Sequence, residues 1–85
     1  ALKRISEAER YLKGLGLQNC RVRHHDSIAR IEIDLDDIPA LMSSENRDNV
    51  VKHLRSLGYL YVTLDLSGFT TGSLNLALGS KNIRP

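Results

Sequence analysis

Residues 21–33 read RVRHHDSIARIEI, and this stretch decides the fold of the chain. Two segments in which apolar and polar residues alternate are separated by the short polar pair at 26–27. Successive side chains of a strand point to opposite faces of a sheet, so the alternation predicts two antiparallel strands joined as a hairpin. A loop of only these two residues pairs His25 with Ile28 and fixes the register of the whole hairpin.

This register divides the hairpin into an apolar face and a charged face. It places Arg23 opposite Arg30 and Arg21 opposite Glu32, all on the charged face. The other face carries Cys20, Val22, His24, Ala29, Ile31 and Ile33. Two arginines that face each other are unfavourable unless an anion or a carboxylate lies between them. The charged face therefore either meets another surface or binds an anion.

Two amphipathic helices flank the hairpin in the sequence. Their apolar stripes consist of Leu2, Ile5, Ala8, Leu12 and Leu15 and of Val50, Val51, Leu54 and Leu57. These spacings are typical of helices with one buried face. Gly16 and Gly58 follow the last apolar positions, as helix C-terminal caps do. Ser43 or Ser44 is the expected N-cap of the second helix.

A short helix or turn and a third strand complete the pattern. The short segment is expected around 36–39, with Ile38, Leu41 and Met42 facing inward. The third strand is expected over Tyr59–Leu66. The alternation places Leu60, Val62, Leu64 and Leu66 toward the core and Tyr59, Tyr61, Thr63 and Asp65 away from it.

The resulting order α-β-β-α-β predicts an α+β fold. We expect a three-stranded, mainly antiparallel sheet with two helices packed on one face and the other face left open. The open face carries Arg21, Arg23, Arg30, Glu32, Tyr61 and Asp65. We expect a single domain over 1–75 and a flexible tail over 76–85, because the end of the chain is rich in loop-forming residues.

Composition excludes several classes of function. The chain has 85 residues, 41% of them hydrophobic and 26% charged, which suits one globular domain with one core. A net charge of +2 without tryptophan gives no support for a nucleic-acid partner. No apolar run suits a membrane span, so we expect no membrane partner. The lone Cys20 excludes an internal disulfide, and we expect a cytoplasmic location.

The sequence contains no recognisable catalytic or metal-binding constellation. The serines at 43, 44 and 73 lack the glycine-rich elbow and the base of a nucleophilic site. His24 and His25 are adjacent in a strand, so they point to opposite faces and cannot bind one metal ion together. Cys20 faces inward, where a buried and unreactive thiol is expected.

Two interpretations of the arginines remain open on the pattern alone. In the first, Arg21 forms a cross-strand ion pair with Glu32, and Asp65 or Asp34 balances the remaining arginine. In the second, Arg21 and Arg23 bind a phosphate or carboxylate group. Glu9 is also a candidate site carboxylate, because it lies at the margin of the apolar stripe of the first helix.

The chain resembles the C-terminal domain of the LarE-type ATP-dependent sacrificial sulfur transferases, which belong to the PP-loop ATP pyrophosphatases. The matching stretches are Ala8-Glu9, Arg21–His25, Ile28–Glu32, Tyr61–Phe69 and Gly72–Asn75. The resemblance implies a role in making the nickel-pincer nucleotide cofactor, by adenylation of a pyridinium mononucleotide and sulfur transfer to it. It also implies that Arg21 and Arg23 contact the substrate phosphate and that Glu9 and Glu32 lie near the same site.

The chain departs from the family in ways that limit this expectation. It has no Ser-Gly-Gly-x-Asp-Ser nucleotide loop, so ATP and magnesium are expected in an N-terminal PP-loop domain. Cys20 does not match the sulfur-donating cysteine of the family, and Thr70 stands where the family commonly has arginine. We therefore expect no catalytic residue, metal site or cofactor in this chain and no activity from it alone.

Two hypotheses of different classes follow. The first is a C-terminal module of a homo-oligomeric enzyme that contributes Arg21 and Arg23 to the binding of a phosphorylated, nucleotide-like substrate. Arg30, Tyr61 and Asp65 then form a candidate interface on the open face. The alternative is a free-standing binding or regulatory module that makes protein–protein contacts without catalysis.

Overall fold

The hairpin predicted from residues 21–33 is present, and the rest of the fold is arranged around it. In the computed structural model, which describes residues 2–69, strand β1 spans Cys20–His25 and strand β2 spans Ile28–Ile33. The strands pair antiparallel with His25 opposite Ile28, so the predicted register is confirmed. In the turn, Asp26 has a φ of 53°, a left-handed conformation that aspartate tolerates better than most residues.

A third strand joins the hairpin on the free side of β2. Strand β3 spans Tyr61–Leu64 and runs parallel to β2, so the strand order is β1-β2-β3. The sheet of residues 2–69 is therefore mixed, with one antiparallel and one parallel pair. The predicted α+β class and element order are confirmed. Because β2 is central, its charged side chains have neighbours from both other strands.

Two long helices cover one face of this sheet. Helix α1 spans Leu2–Gly14 and packs against β1, and helix α3 spans Ser44–Ser56 and packs against β3. Between β2 and α3 lie a 3-10 turn, Leu35–Asp37, and a short helix α2, Ile38–Leu41. The core between helices and sheet contains Ala8, Leu12, Leu17, Cys20, Val22, Ala29, Ile31, Ile33, Leu41, Val50, Leu54 and Tyr59. The opposite sheet face is left open by the described helices, as predicted.

The third strand is shorter than predicted, and this changes the direction of three side chains. Tyr59 is only 1% exposed, whereas Leu60 and Leu66 are largely exposed, so the expected direction of each was wrong. The backbone N–H groups of both Leu60 and Tyr61 donate to the Ser27 carbonyl, so the chain joins the sheet only at this point. Strand alternation holds only inside β3, where Val62 and Leu64 pack against the core as predicted.

Three residues expected to face the core lie at helix ends instead. Leu2 is the first residue of α1, Leu15 directly follows α1 and Met42 directly follows α2, and all three are exposed. Helical spacing predicts a direction for such side chains, but no neighbouring element covers them. The predicted domain boundary at 75, the tail over 76–85 and the interpretations of Thr70 and Ser73 lie outside the described residues. No helix within residues 2–69 is long and apolar enough to cross a membrane.

A tight turn after β3 brings Phe69 to the edge of the open face. The Phe69 N–H donates to the Ile33 carbonyl at 2.6 Å, so the chain returns to the end of β2. Gly68 has a φ of 86°, and a Cβ there would lie 2.9 Å from Leu35 Cδ2 and 3.2 Å from the Ile33 carbonyl oxygen. Only glycine fits this close approach without strain. The glycine of this turn therefore has a packing reason.

Candidate anion-binding site

The open face brings all six predicted charged and aromatic residues onto one surface. Arg23 lies opposite Arg30 on neighbouring strands, and Arg21 lies opposite Glu32, as the register predicts. Tyr61 pairs with Ile28 on the other side of β2 and is 60% exposed. Asp65 follows β3, with its N–H bonded to the Ile31 carbonyl. The arrangement of candidates in space was therefore predictable from two registers.

A nearly buried carboxylate separates the two opposed arginines. Glu32 is 8% exposed, and its Oε2 lies 3.6 Å from Arg23 Nε and 3.5 Å from an Arg30 terminal nitrogen. The ion pair of Arg21 with Glu32, which belonged to one of the two interpretations, is not formed. Glu32 instead contacts Arg23 diagonally across the strand pair and Arg30 two positions before it on β2. The reason is charge balance, because a carboxylate placed between two like charges relieves their repulsion.

Arg30 is held by a second carboxylate on β3's side. Its Nε lies 3.9 Å from Asp65 Oδ2, and this nitrogen is buried with no hydrogen-bond partner among residues 2–69. Asp65 therefore balances the charge of Arg30, in agreement with one of the two alternatives given for the remaining arginine. The other alternative, Asp34, instead accepts a hydrogen bond from the Asn19 side chain at 3.0 Å. Arg30 thus belongs to a structural network, and its charge is shared by two carboxylates.

Arg21 differs from the other two arginines of the open face. Its guanidinium carbon lies 5.6 Å from the centre of the Phe69 ring, within the range of a cation–π contact. Within residues 2–69 no carboxylate forms a salt bridge with it. The sequence did not indicate this contact, because Phe69 reaches Arg21 only through the turn at Gly68. Among residues 2–69, the guanidinium of Arg21 thus contacts an aromatic ring rather than a carboxylate.

These arginines line a surface cleft along the outer edge of β1. The cleft has a volume of about 500 Å³ and is lined by Ile5, Glu9, Arg21, Val22, Arg23, His24, His25 and Arg30. Arginine and histidine outnumber acidic groups among these residues. A concave cationic surface favours ligands with phosphate or carboxylate groups.

Glu9 has a structural role that explains its position at the stripe margin. Its Oε2 accepts a hydrogen bond of 2.9 Å from the Val22 N–H, so α1 is tied to an edge strand whose amide would otherwise be unpaired. Its main-chain carbonyl also accepts the Cys20 thiol at 3.7 Å. Burial and the nearby Glu9 carboxylate both raise the pKa of Cys20, which keeps the thiol protonated and unreactive.

A pair of residues at one end of the cleft was missed from the sequence. The Tyr59 hydroxyl lies 3.2 Å from His24 Nδ1, and the two rings meet edge to face with centroids 5.5 Å apart. On another side, the guanidinium of Arg4 lies 5.2 Å from the centre of the Tyr59 ring. Burial raises the pKa of Tyr59, so its hydroxyl stays protonated. No sequence pattern links these residues, since His24 and Tyr59 are 35 positions apart.

The described residues offer no metal site. No group of three histidine, cysteine, aspartate or glutamate side chains within residues 2–69 is arranged to hold a metal ion. His24 and His25 both line the cleft but stem from opposite faces of β1. The polar groups that the cleft presents are mainly guanidinium and imidazole groups.

Comparison with known proteins shows that this chain is similar to part of a mononucleotide synthase. No family model matches the chain. It is 43% identical over 74 residues to pyridinium-3,5-bisthiocarboxylic acid mononucleotide synthase of Lactiplantibacillus plantarum, a match that covers 87% of this chain and 26% of the relative. It is 39% identical over 77 residues to an uncharacterized protein of Synechocystis sp., covering 91% of this chain and 29% of that protein. The chain thus spans less than a third of the length of either relative.

Proposed function

We propose that this chain is the C-terminal substrate-binding and oligomerisation domain of a PP-loop ATP-dependent sulfur transferase that acts in nickel-pincer nucleotide biosynthesis. The similarity to the mononucleotide synthase supports this proposal, and the small share of that enzyme covered supports a single domain of a larger protein. The compound that this relative is named for making is a mononucleotide with two thiocarboxylic acid groups, and a phosphate with further acidic groups suits a cationic cleft.

The proposal rests on the N–H groups that Arg21 and Arg23 have left for a ligand. Arg21 makes no salt bridge within residues 2–69, and Arg23 shares the single Oε2 of Glu32 with Arg30. Both therefore retain N–H groups for a ligand, and both line the same cleft. Guanidinium groups match the oxygens of a phosphate well, and two of them on one strand face provide a clamp. In this proposal, Glu9 and Glu32 position the site through Val22 and the arginines.

ATP and magnesium would act in the N-terminal PP-loop domain, which adenylates the substrate carboxylate. The present chain would bind and orient the phosphate end of the substrate while that chemistry proceeds elsewhere. The 85-residue chain alone is then expected to release no pyrophosphate from ATP in the presence of a pyridinium mononucleotide. Pyrophosphate release by this chain would contradict the division of labour.

Binding of inorganic phosphate to arginine variants tests the site. The variants Arg21→Ala and Arg23→Ala should each weaken phosphate binding, measured by amide chemical shifts in a titration at constant ionic strength. Arg55→Ala removes an exposed cation of α3 outside the cleft and serves as the matched control. Equal binding by all three variants and the parent chain would refute the phosphate site.

A free-standing module for protein–protein contacts is the second candidate function. The exposed side chains of Leu60, Tyr61 and Leu66 favour it, because large apolar groups near one sheet edge suit a docking surface. Tyr61 also belongs to the candidate interface with Arg30 and Asp65, so the same surface serves a homo-oligomer in the first proposal. Sedimentation over a range of concentrations, with Tyr61→Ser as the test variant, distinguishes a self-association surface from a monomer.

A further inference from the structure

His24 has its ring fixed by two contacts, although it lies at the rim of the core. The Tyr59 hydroxyl is 3.2 Å from its Nδ1, and the edge-to-face contact with the same ring restricts its orientation. Tyr59 is almost fully buried, and a buried phenol needs a hydrogen-bond partner. Among residues 2–69 this partner is His24.

The second ring nitrogen of His24 is left for the cleft. No residue within 2–69 forms a hydrogen bond with its Nε2, and this atom is not among the buried unpartnered polar atoms. His24 also lines the cleft beside Arg21 and Arg23. His24 stems from the opposite face of β1 to the arginines, so the three residues line the cleft from the two sides of its edge strand.

We propose that His24 is a third anion-binding group of the cleft and that Tyr59 is the residue that positions it. This inference rests on the proposed phosphate site and adds a residue to it. The Tyr59 hydroxyl donates to Nδ1, which leaves the imidazole proton on Nε2, and Nε2–H then donates to an oxygen of the bound anion.

The groups around the ring are consistent with an anion as its partner. Arg4 lies on another side of the Tyr59 ring and adds positive charge. Among the residues that line the cleft, the acidic one is Glu9, and its Oε2 already accepts the Val22 N–H. The cleft that His24 lines also carries three arginines and a second histidine, so a phosphate or sulfate group is the favoured class of ligand.

Two substitutions separate the roles of the two ring nitrogens. His24→Asn keeps a polar group near the position of Nδ1 but removes Nε2, whereas His24→Gln keeps an amide nitrogen near the position of Nε2. With inorganic sulfate as the probe, we expect His24→Asn to weaken binding about tenfold or more, the usual effect of losing one hydrogen bond to a charged group. His24→Gln should retain more of the affinity than His24→Asn.

Tyr59→Phe tests the positioning role, because it removes only the hydroxyl. It should weaken sulfate binding in the parent chain and in the control Arg55→Ala, but have no further effect in His24→Asn. Nitrogen-15 shifts of the imidazole should show the proton of His24 on Nε2 in the parent chain and a mixture of tautomers in Tyr59→Phe. Circular dichroism of each variant verifies the fold.

The outcomes distinguish this inference from the phosphate site itself. If Arg21→Ala weakens sulfate binding while His24→Asn and Tyr59→Phe leave it unchanged, the site stands and the role of His24 is refuted. A His24 ring with its proton on Nδ1 also refutes the proposed positioning. If Arg21→Ala and Arg23→Ala have no effect either, the phosphate site and this inference are both wrong.

Discussion

Glu32→Gln is the substitution that tests most sharply how the charged face is balanced. The change removes a negative charge that lies 3.6 Å from Arg23 Nε and 3.5 Å from an Arg30 nitrogen. It keeps the size and the hydrogen-bonding oxygen of the side chain. The two opposed arginines then face each other without a full charge between them, so both stability and anion binding should change.

The expected loss of stability follows from these distances and exposures. At 3.5 Å and an effective dielectric constant of about 20, one ion pair is worth about 5 kcal/mol before solvent screening. The guanidinium side chains are 43% and 41% exposed, and burying the carboxylate carries a desolvation cost, which leaves about 1–3 kcal/mol for the two pairs together. For a domain of this size the melting temperature should fall by about 5–20 °C.

Thermal unfolding with and without sulfate at matched ionic strength measures both effects. Sulfate should stabilise Glu32→Gln more than the parent chain, because it replaces the lost negative charge beside the arginines. The control is Glu7→Gln, which removes an exposed carboxylate paired with Arg10 at 3.6 Å and should cost about 0.5 kcal/mol or less. Unchanged stability of Glu32→Gln, or equal stabilisation of all three proteins by sulfate, would refute this account of the open face.

Three further predictions concern residues that support the cleft. Glu9→Ala should lower the free energy of unfolding by about 1–2 kcal/mol and Glu9→Gln by less, in urea titrations, because only the alanine leaves the Val22 N–H without an acceptor. Gly68→Ala should lower the melting temperature, because the new Cβ contacts Leu35 and the Ile33 carbonyl and the residue has a positive φ. The control Gly14→Ala, at the end of α1, places its Cβ in open space and should not lower the melting temperature. Cys20 should react with a thiol reagent only after unfolding. Because folding raises the pKa of the Cys20 thiol, the stability that this residue contributes is full below pH 9.0 and is lost as the pH rises beyond that value. Urea midpoints measured on both sides of pH 9.0 should show this loss of stability in the parent chain but not in Cys20→Ala.

The fold was largely predictable because its central element is local. The hairpin register follows from side-chain alternation and a two-residue turn, and it fixes which charges share a face. The helices follow from apolar spacing and from Gly16 and Gly58, which both have positive φ. The ends of elements were less predictable. Tyr59 is buried because the chain joins the sheet only at Tyr61, and periodicity does not apply before that point.

The site was predictable in composition but not in its contacts. Arg21 and Arg23 were identified from the hairpin alone, since their common face follows from the register. Their partners were not, because a long side chain reaches diagonal neighbours as easily as the residue directly opposite. Glu32 therefore pairs with Arg23 and Arg30 rather than with Arg21, the residue directly opposite it. Contacts between distant segments, such as Arg21 with Phe69, depend on the tertiary fold and leave no local signal.

The central claim is that the open face binds the phosphate of a pyridinium mononucleotide through Arg21 and Arg23. The most direct measurement is an amide chemical-shift titration of the 85-residue chain with nicotinate mononucleotide and, separately, with the nucleoside that lacks the phosphate. We predict shifts concentrated in β1 around Arg21 and Arg23 for the mononucleotide, and little change for the nucleoside. Equal shifts with both compounds, or shifts that persist in Arg21→Ala and Arg23→Ala, would contradict the claim.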